Sequence, residues 1–281
     1  MERHLAASKE WFPHALVPWE LGPQVEPARP WTEAESKLPS AVRSSLLVNL
    51  LTEDNLPYYF RDIERMFGGA EVWDFWTRRW TAEEGRHAIV IRDYLTLTRA
   101  LCPEQLERAR MAQVQCGEVP SPPDAGRGLA YITLQELATR IAHRNTGKAL
   151  DDPAGFEVMK RVAADENLHY LFYRDLATAA LELQPSEMMI AIDIEVRNFE
   201  MPGTGILDFA SHARAIAREG IYDLGIHHEM ILVPVVLRHW KVEQLTGLTD
   251  EAEAARNRVV AHIDRVGRVA EQQRERQAAS A

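Results

Sequence analysis

Cysteine is nearly absent: Cys102 and Cys116 are the only two in 281 residues, and they form no Cys-x-x-Cys pair. That excludes a disulfide framework and a thiolate zinc site, and it fits a reducing cytosol. Basic residues are not in excess either. The formal net charge is −10, which argues against a general nucleic-acid binder, because neutralising phosphates needs a dominant basic face. Long hydrophobic runs are also missing. The most apolar stretch, Met230 to Leu237, is far shorter than the roughly 20 residues a bilayer span needs, so membrane enzymes built on histidine boxes are excluded. The start, Met1-Glu2-Arg3-His4, has neither the apolar core of a signal peptide nor the Arg/Ser-rich, acid-poor character of a transit peptide. A cytoplasmic location without a membrane span is expected.

Alternating β-branched runs are lacking as well. From about Ser40 to Arg276 apolar residues recur at spacings of three and four, the signature of amphipathic helices. Pro and Gly cluster at Pro18 to Pro30, Gly68-Gly69, Gly117 to Gly128, Asp152-Pro153 and Met201 to Gly205, and these clusters set the expected helix boundaries. Four long helices are predicted at about 40–67, 70–100, 128–148 and 154–184, with shorter ones at about 186–200, 207–219, 221–240 and 250–275. The expected organisation is a single domain over 1–281. It comprises an irregular N-terminal arm at about 1–35, a core at about 40–245 and a C-terminal helix and tail at about 250–281. Trp11, Phe12, Trp19 and Leu21 are too apolar for a free tail and should lie over the bundle, whereas the last few residues should fray.

The informative feature is where the apolar stripes are interrupted. The first helix reads Leu46, Leu50, Glu53, Leu56, Phe60, Ile63, Phe67, and the second Trp73, Trp76, Trp80, Glu84, His87, Ile91. The third reads Leu129, Ile132, Glu136, Thr139, His143, and the fourth Phe156, Met159, Glu166, His169, Phe172, Leu176. Each buried row carries a carboxylate. An unpaired ionised carboxylate in a core costs several kcal/mol even after relaxation, so four facing one core require something positive among them. The stripes hold no Lys or Arg near these positions, and metal ions are the economical answer. Glu84-x-x-His87 and Glu166-x-x-His169 are the only two Glu-x-x-His occurrences. That spacing puts both side chains on one face of a helix. Glu53 precedes the first pair by nearly the distance at which Glu136 precedes the second, an internal repeat of helix pairs. A lone Glu on two helices plus Glu-x-x-His on two others is the ligand set of ferritin-like di-metal carboxylate bundles. Oxygen ligands with one imidazole per metal suit iron or manganese, and O₂ chemistry argues for two iron ions. The expected fold is all-α: a ferritin-like four-helix bundle with additional helices.

Other positions have plainer explanations. Trp73, Trp76 and Trp80 are core packing. Thr139, one turn beyond Glu136, could hydrogen-bond to oxygen chemistry at the metals, or could equally bond its own helix backbone. Glu83 and Asp54 point away from the neighbouring ligand and are solvated or outer groups. Asp165 either orients a ligand histidine or lies on the surface. His227-His228 is structural or interfacial, and the charged stretch from Glu251 to Arg276 is a solvated helix face.

Several stretches resemble the soluble acyl-acyl-carrier-protein desaturases. They are Leu51-Thr52-Glu53-Asp54-Asn55-Leu56-Pro57, Trp80-Thr81-Ala82-Glu83-Glu84-Gly85-Arg86-His87, Leu134-Gln135-Glu136-Leu137-Ala138-Thr139-Arg140, Ala164-Asp165-Glu166-Asn167-Leu168-His169, and Trp240-Lys241-Val242 with Leu245-Thr246-Gly247-Leu248. The likeness covers about residues 10 to 250. It looks closer to actinobacterial than to plastid members, partly through Ala142 to Lys148. The resemblance implies that Glu53 and His87 bind one iron, Glu136 and His169 the other, and that Glu84 and Glu166 bridge them. It further implies that Thr139 is the active-site hydroxyl, and that Trp11, Asp165 and His87 carry electrons from the surface. A homodimer supplied by ferredoxin and acting on chains carried by acyl carrier protein is implied too. Two departures stand out: Gly85 and Ala88 where the family usually has Asn and Gly, and a shorter loop from Gly117 to Gly128.

The expected chemistry is O₂-dependent removal of two hydrogens from adjacent carbons of a chain in an apolar tunnel. A di-iron hydroxylase would use the same ligands. A storage protein would share the core but need no tunnel, and a non-catalytic acyl binder would most simply have lost a ligand. Acyl carrier protein is acidic, and Arg61, Arg65, Arg78 and Arg79 are candidates for its docking patch by density.

Overall fold

A computed structural model describes residues 1–24 and 29–280. Among the described residues there are helices and turns but no strands. The helices are α1 (Glu2–Ala7), α2 (Ser40–Glu53), α3 (Leu56–Phe67), α4 (Glu71–Leu97), α5 (Pro103–Cys116), α6 (Ala125–Ala149), α7 (Pro153–Leu183), α8 (Pro185–Arg197), α9 (Phe209–Arg218), α10 (Leu224–His227) and α11 (Asp250–Ser280). A π-helix over His228–His239 follows α10 directly. No helix among the described residues is long and apolar enough to cross a membrane.

α2, α4, α7 and α6 pack in a closed ring, each touching the next, and this is the expected four-helix core. α6 is its centre: Leu129, Ala130, Ile132, Leu134, Leu137, Ala138 and Ile141 are buried around nearly its whole circumference. A helix apolar all round belongs in an interior. Asp124 caps α6 by accepting from the Arg127 N–H at 2.9 Å, and Asp152 caps α7 by accepting from Gly155 N at 2.9 Å. These side chains satisfy helix donors that would otherwise lack partners.

Five expectations need correction. The helix predicted at 40–67 is two helices, broken at Asp54-Asn55. Pro57 lacks an N–H and would clash with the Glu53 carbonyl one turn back, so α2 ends on Glu53 and α3 restarts with Pro57 in its first turn. The segment after 100 contains α5, which carries no long apolar stripe because it buries little: Leu106 and Gln113 are its only fully buried residues. Gly117, at φ 69°, closes α5 in the left-handed conformation that glycine tolerates. Among its described residues the N-terminal arm is partly helical, with α1 and three short 3₁₀ turns. The part of the Pro18–Pro30 cluster at 25–28 lies outside the described residues. Most of the helix predicted at 221–240 is π-helical, with Pro234 inside it and Trp240 N bonding the Val235 carbonyl at 2.9 Å. Lastly, the residues expected to fray are helical to Ser280, and Ala281 lies outside the described residues. Ala252, Ala255, Val259 and Ile263 of α11 are buried against α8 and the π-helix.

Candidate metal centre

The four helices bring the predicted residues to one point. Glu53 ends α2, Glu84 and His87 lie mid-α4, Glu136 mid-α6, and Glu166 and His169 mid-α7. All six are buried, and His87 and His169 have no exposed surface. The helix break at Asp54 keeps Glu53 in this group, at the last turn of α2, instead of carrying α2 past it.

Distances divide the cluster into two overlapping halves. His87 Nδ1 lies 3.5 Å from Glu53, 3.1 Å from Glu84 and 3.3 Å from Glu166. His169 Nδ1 lies 2.7 Å from Glu84 and 3.8 Å from Glu136. Ligand atoms of Glu53, Glu84, His87 and Glu166 lie within 4.8 Å of one another, as do those of Glu84, Glu136, Glu166 and His169, and either group could hold a metal ion. Glu84 and Glu166 belong to both.

The electrostatics expose the same need. Among the described residues the four carboxylates have only histidines as ion-pair partners. Burial, together with the charges of Glu166 and Glu84, pushes the Glu136 carboxyl well above its ordinary range. Burial also opposes ionisation of Glu53, but hydrogen bonds from His143 and His87 outweigh it and hold that carboxyl low. Burial pulls the His169 imidazole down, yet Glu84, Glu83 and Glu166 raise it to about 10. The upward shifts of Glu136 and His169 favour bound protons where positive charge is missing. Metal ions displace such protons when they bind. Nδ1 of both histidines, Nε2 of His87 and Oε2 of Glu136 are buried without a hydrogen-bond partner, which is unusual for native polar atoms; the two Nδ1 atoms and Oε2 face the cluster and fit donors to a metal.

The outer nitrogens of the histidines face carboxylates from the opposite helix, within hydrogen-bond reach for His169 alone. His87 Nε2 on α4 faces Asp165 of α7 at 3.5 Å, and His169 Nε2 on α7 faces Glu83 of α4 at 3.1 Å. Each outer carboxylate immediately precedes a Glu shared by both halves of the cluster, and each is paired with an Arg one turn earlier, Arg161 and Arg79 respectively. The doubled pattern Arg79, Glu83, Glu84, His87 and Arg161, Asp165, Glu166, His169 was the available sequence signal for Glu83. Solvation of Glu83 is thus ruled out: it is buried, and although burial opposes ionisation, His169 and His4 hold it strongly ionised. Asp165 is buried too; burial opposes ionisation, but His87 and Trp11 hold it down at about 2. Asp54 is likewise buried, gripped by Arg110 of α5 through two bonds of 2.7 and 2.8 Å.

The N-terminal arm closes this outer face. Trp11 Nε1 donates to Asp165 Oδ2 at 2.7 Å, and its ring lies nearly parallel to His87, at 12° and 6.4 Å between centroids. The guanidinium of Arg86 sits 4.7 Å above the same indole. Trp76 and Trp80 are core residues as expected, but Trp80 also places its N–H 3.3 Å from Glu136. Of the four arginines considered for docking, Arg79 is committed to Glu83 and Ser8, and Arg65 to the Pro122 carbonyl and Ser121.

Thr139 bonds its own helix backbone and also reaches the cluster. Its Oγ1 is 3.1 and 3.2 Å from the Glu136 and Gln135 carbonyls, and 3.1 Å from Glu166 Oε2. His143, noted only as a stripe position, approaches Glu53 Oε1 at 2.8 Å. Thr139 and His143 also line a largely apolar cavity of about 350 Å³, whose other walls include Phe199, Met201, Ile216 and Leu224. His227 lies on this wall, its Nδ1 3.0 Å from the Tyr222 hydroxyl. Gly85 leaves α4 continuous.

The chain is similar to DesA1 of Mycobacterium tuberculosis, provisionally named an acyl-[acyl-carrier-protein] desaturase, at 39% identity over 92% of this chain and 79% of that protein. It is 28% identical to the chloroplastic stearoyl-[acyl-carrier-protein] 9-desaturase of Gossypium hirsutum, over 87% of this chain and 66% of the relative, so the mycobacterial protein is the more similar, as expected. The crystal structure of M. tuberculosis DesA2 superimposes with a TM-score of 0.72 at 25% identity, covering 88% of this chain and 91% of the other. That likeness assigns the four-helix core to the ferritin-like fold. The sequence model of the fatty acid desaturase family matches residues 1–281, and the chain therefore belongs to the fatty acid desaturase family.

Proposed function

We propose that this protein is an acyl-acyl-carrier-protein desaturase that introduces a double bond into a fatty chain held as a carrier thioester. The observation that carries this reading is the contact between the buried carboxylate–histidine cluster and the apolar cavity, made through Thr139 and His143. A storage protein needs no such cavity, whereas about 350 Å³ lies within the range of sites that enclose small apolar ligands.

In this proposal Glu53 and His87 would hold one iron and Glu136 and His169 a second, with Glu84 and Glu166 available to both. Iron so bound would supply the O₂ and redox chemistry that protein side chains lack. The balance per turnover is O₂, two electrons and two protons consumed, two hydrogens taken from adjacent carbons, and two waters formed. The chain's own residues perform the remaining tasks. Phe199, Met201, Ile216 and Leu224 hold the alkyl chain and exclude water. Thr139 presents its hydroxyl between cavity and cluster, and His143 fixes Glu53. Trp11 and Asp165 lead toward His87 and serve as the electron route from a ferredoxin-class donor. Acyl carrier protein is the partner of the substrate, the enzyme is cytoplasmic, and the assembly is a homodimer; relatives and family resemblance support the first, and the resemblance alone supports the last.

The test is to supply the iron-loaded protein with reductant, ferredoxin, O₂ and a panel of acyl-carrier-protein substrates, and to weigh the products intact. A loss of about two mass units on one chain length is the expected result. Gain of an oxygen atom assigns a hydroxylase, and unchanged substrates with two irons bound remove the carrier-linked chain as substrate.

A further inference from the structure

His4 lies far from the metal-binding stripes in sequence, yet it is buried in the outer face of the cluster. Its Nε2 is 2.8 Å from Glu83 Oε2, the same oxygen that His169 Nε2 approaches at 3.1 Å. The imidazole of His4 stacks on that of His169, at 14° and 5.7 Å, and meets Trp76 edge-on at 4.8 Å. The other oxygen of Glu83 is held by the Ser8 hydroxyl and by Arg79 Nε, each at 2.8 Å. His4, Glu83 and His169 group closely enough to suggest a cation site, but separations of 2.8 and 3.1 Å are hydrogen-bond lengths. The Nε2 atoms of His4 and His169 are therefore satisfied by Glu83, whereas Nδ1 of His169, on the side of Glu84 and Glu136, lacks a hydrogen-bond partner.

A carboxylate oxygen can only accept, so both histidines must present an N–H at Nε2. For neutral His169 that choice leaves the lone pair on Nδ1, the nitrogen aimed at Glu84 and Glu136. An outer hydrogen bond thereby sets tautomer and ring direction of a metal-binding imidazole. The corresponding carboxylate on the other side, Asp165, is steadied instead by Trp11, Arg86 and Arg161. One short arm thus reaches both histidines, by different chemistry on each side.

We infer that His4 is a positioning residue for the iron on the His169 side: through Glu83 it fixes His169 as an Nδ1 ligand, and α1 is thereby a working part of the metal centre. The inference rests on the metal-centre reading above. His4 touches neither substrate nor ligand-facing atoms, so its effect is on one site of two.

The experiment compares the full-length wild type with His4→Phe, which keeps the aromatic packing on Trp76 and loses the donor, and His4→Gln, which restores an N–H near the position of Nε2. Iron retention is read by competition with a chelator, and each site by Mössbauer spectra of ⁵⁷Fe-loaded protein. Outer-residue changes of this kind typically cost about 10–100-fold in metal affinity. The expected result is a loss of that size for one of two irons in His4→Phe, with an altered signal for that iron alone, and retention within a few-fold of wild type in His4→Gln. A defect of folding would not follow the donor in this way. Wild-type behaviour of His4→Phe, equal weakening of both irons, or equal weakening in the two variants each overturns the inference. If the wild type itself takes up no iron, the metal-centre reading has failed, an outcome distinct from all of these.

Discussion

Thr139 Oγ1 stands 3.1 Å from Glu166 Oε2 while the same residue forms part of the cavity wall, so one residue borders both the cluster and the cavity. Thr139→Val keeps the shape and removes the hydroxyl. Loss of one such interaction is worth about 1–3 kcal/mol, so turnover should fall by roughly 5–150-fold while bound iron per chain stays at the wild-type value. Thr139→Ser should recover most of the rate. Product formation and iron content measured on the same samples decide this, and a Thr139→Val enzyme as fast as wild type would remove Thr139 from the mechanism.

Glu136 provides a test in which two readouts move differently. Because burial and its neighbours push its carboxyl well above the ordinary range, Glu136→Gln should leave the metal-free melting temperature almost unchanged, within about 1 kcal/mol of stability. Iron uptake should drop sharply. For the wild type, iron at 100 times its dissociation constant would add about 2.7 kcal/mol, and chelation should take that increment away. The variant should show little difference with and without chelator in calorimetry. A large loss of metal-free stability would mean that Glu136 holds the fold together in its own right.

Acid sensitivity should come in part from the cavity wall. Burial, assisted by the charges of His262 and His228, lowers His227 from 6.5 to about 4, so between these values the unfolded chain binds a proton that the folded chain refuses. Stability contributed by this group is complete above about 6.5 and is lost as pH falls toward about 4. Its size is on the order of 3 kcal/mol. In metal-free protein, denaturant titrations across this window should show a steeper pH dependence for wild type than for His227→Phe. Parallel curves would refute the assignment.

Gly85 is a stabilisation waiting to be made. A Cβ there would meet only Leu56 Cδ2, at 3.9 Å, an ordinary contact, inside a continuous helix. Gly85→Ala should therefore stabilise the protein by about 0.5–1 kcal/mol, with iron content unchanged. A lower denaturation midpoint would show that α4 needs the glycine beside Glu84 for motion or for a contact absent from this state.

The apolar stripes and the carboxylates interrupting them were legible in the sequence because the α-helix makes i, i+3 and i, i+4 neighbours by local geometry alone. Burial of Glu53, Glu84, Glu136 and Glu166, and the placing of Glu84 with His87 and of Glu166 with His169 on one face of a helix, followed from that periodicity. Pro57 announced the break after Glu53 just as locally, although the unbroken stripe concealed it. Other features depend on contacts between distant segments, for which spacing carries no signal. Helical spacing identifies Glu83 and Asp165 as neighbours of ligands, but only the crossing of α4 and α7 decides that Glu83 serves His169 and Asp165 serves His87. Packing of the arm likewise decides that His4 and Trp11 complete the outer face. The cavity exists because α2, α6, α9 and the turn before α10 leave unfilled space between them. Local periodicity determined which residues this protein buries; the tertiary structure decided which of them meet, because that depends on the registers and angles at which separate helices pack.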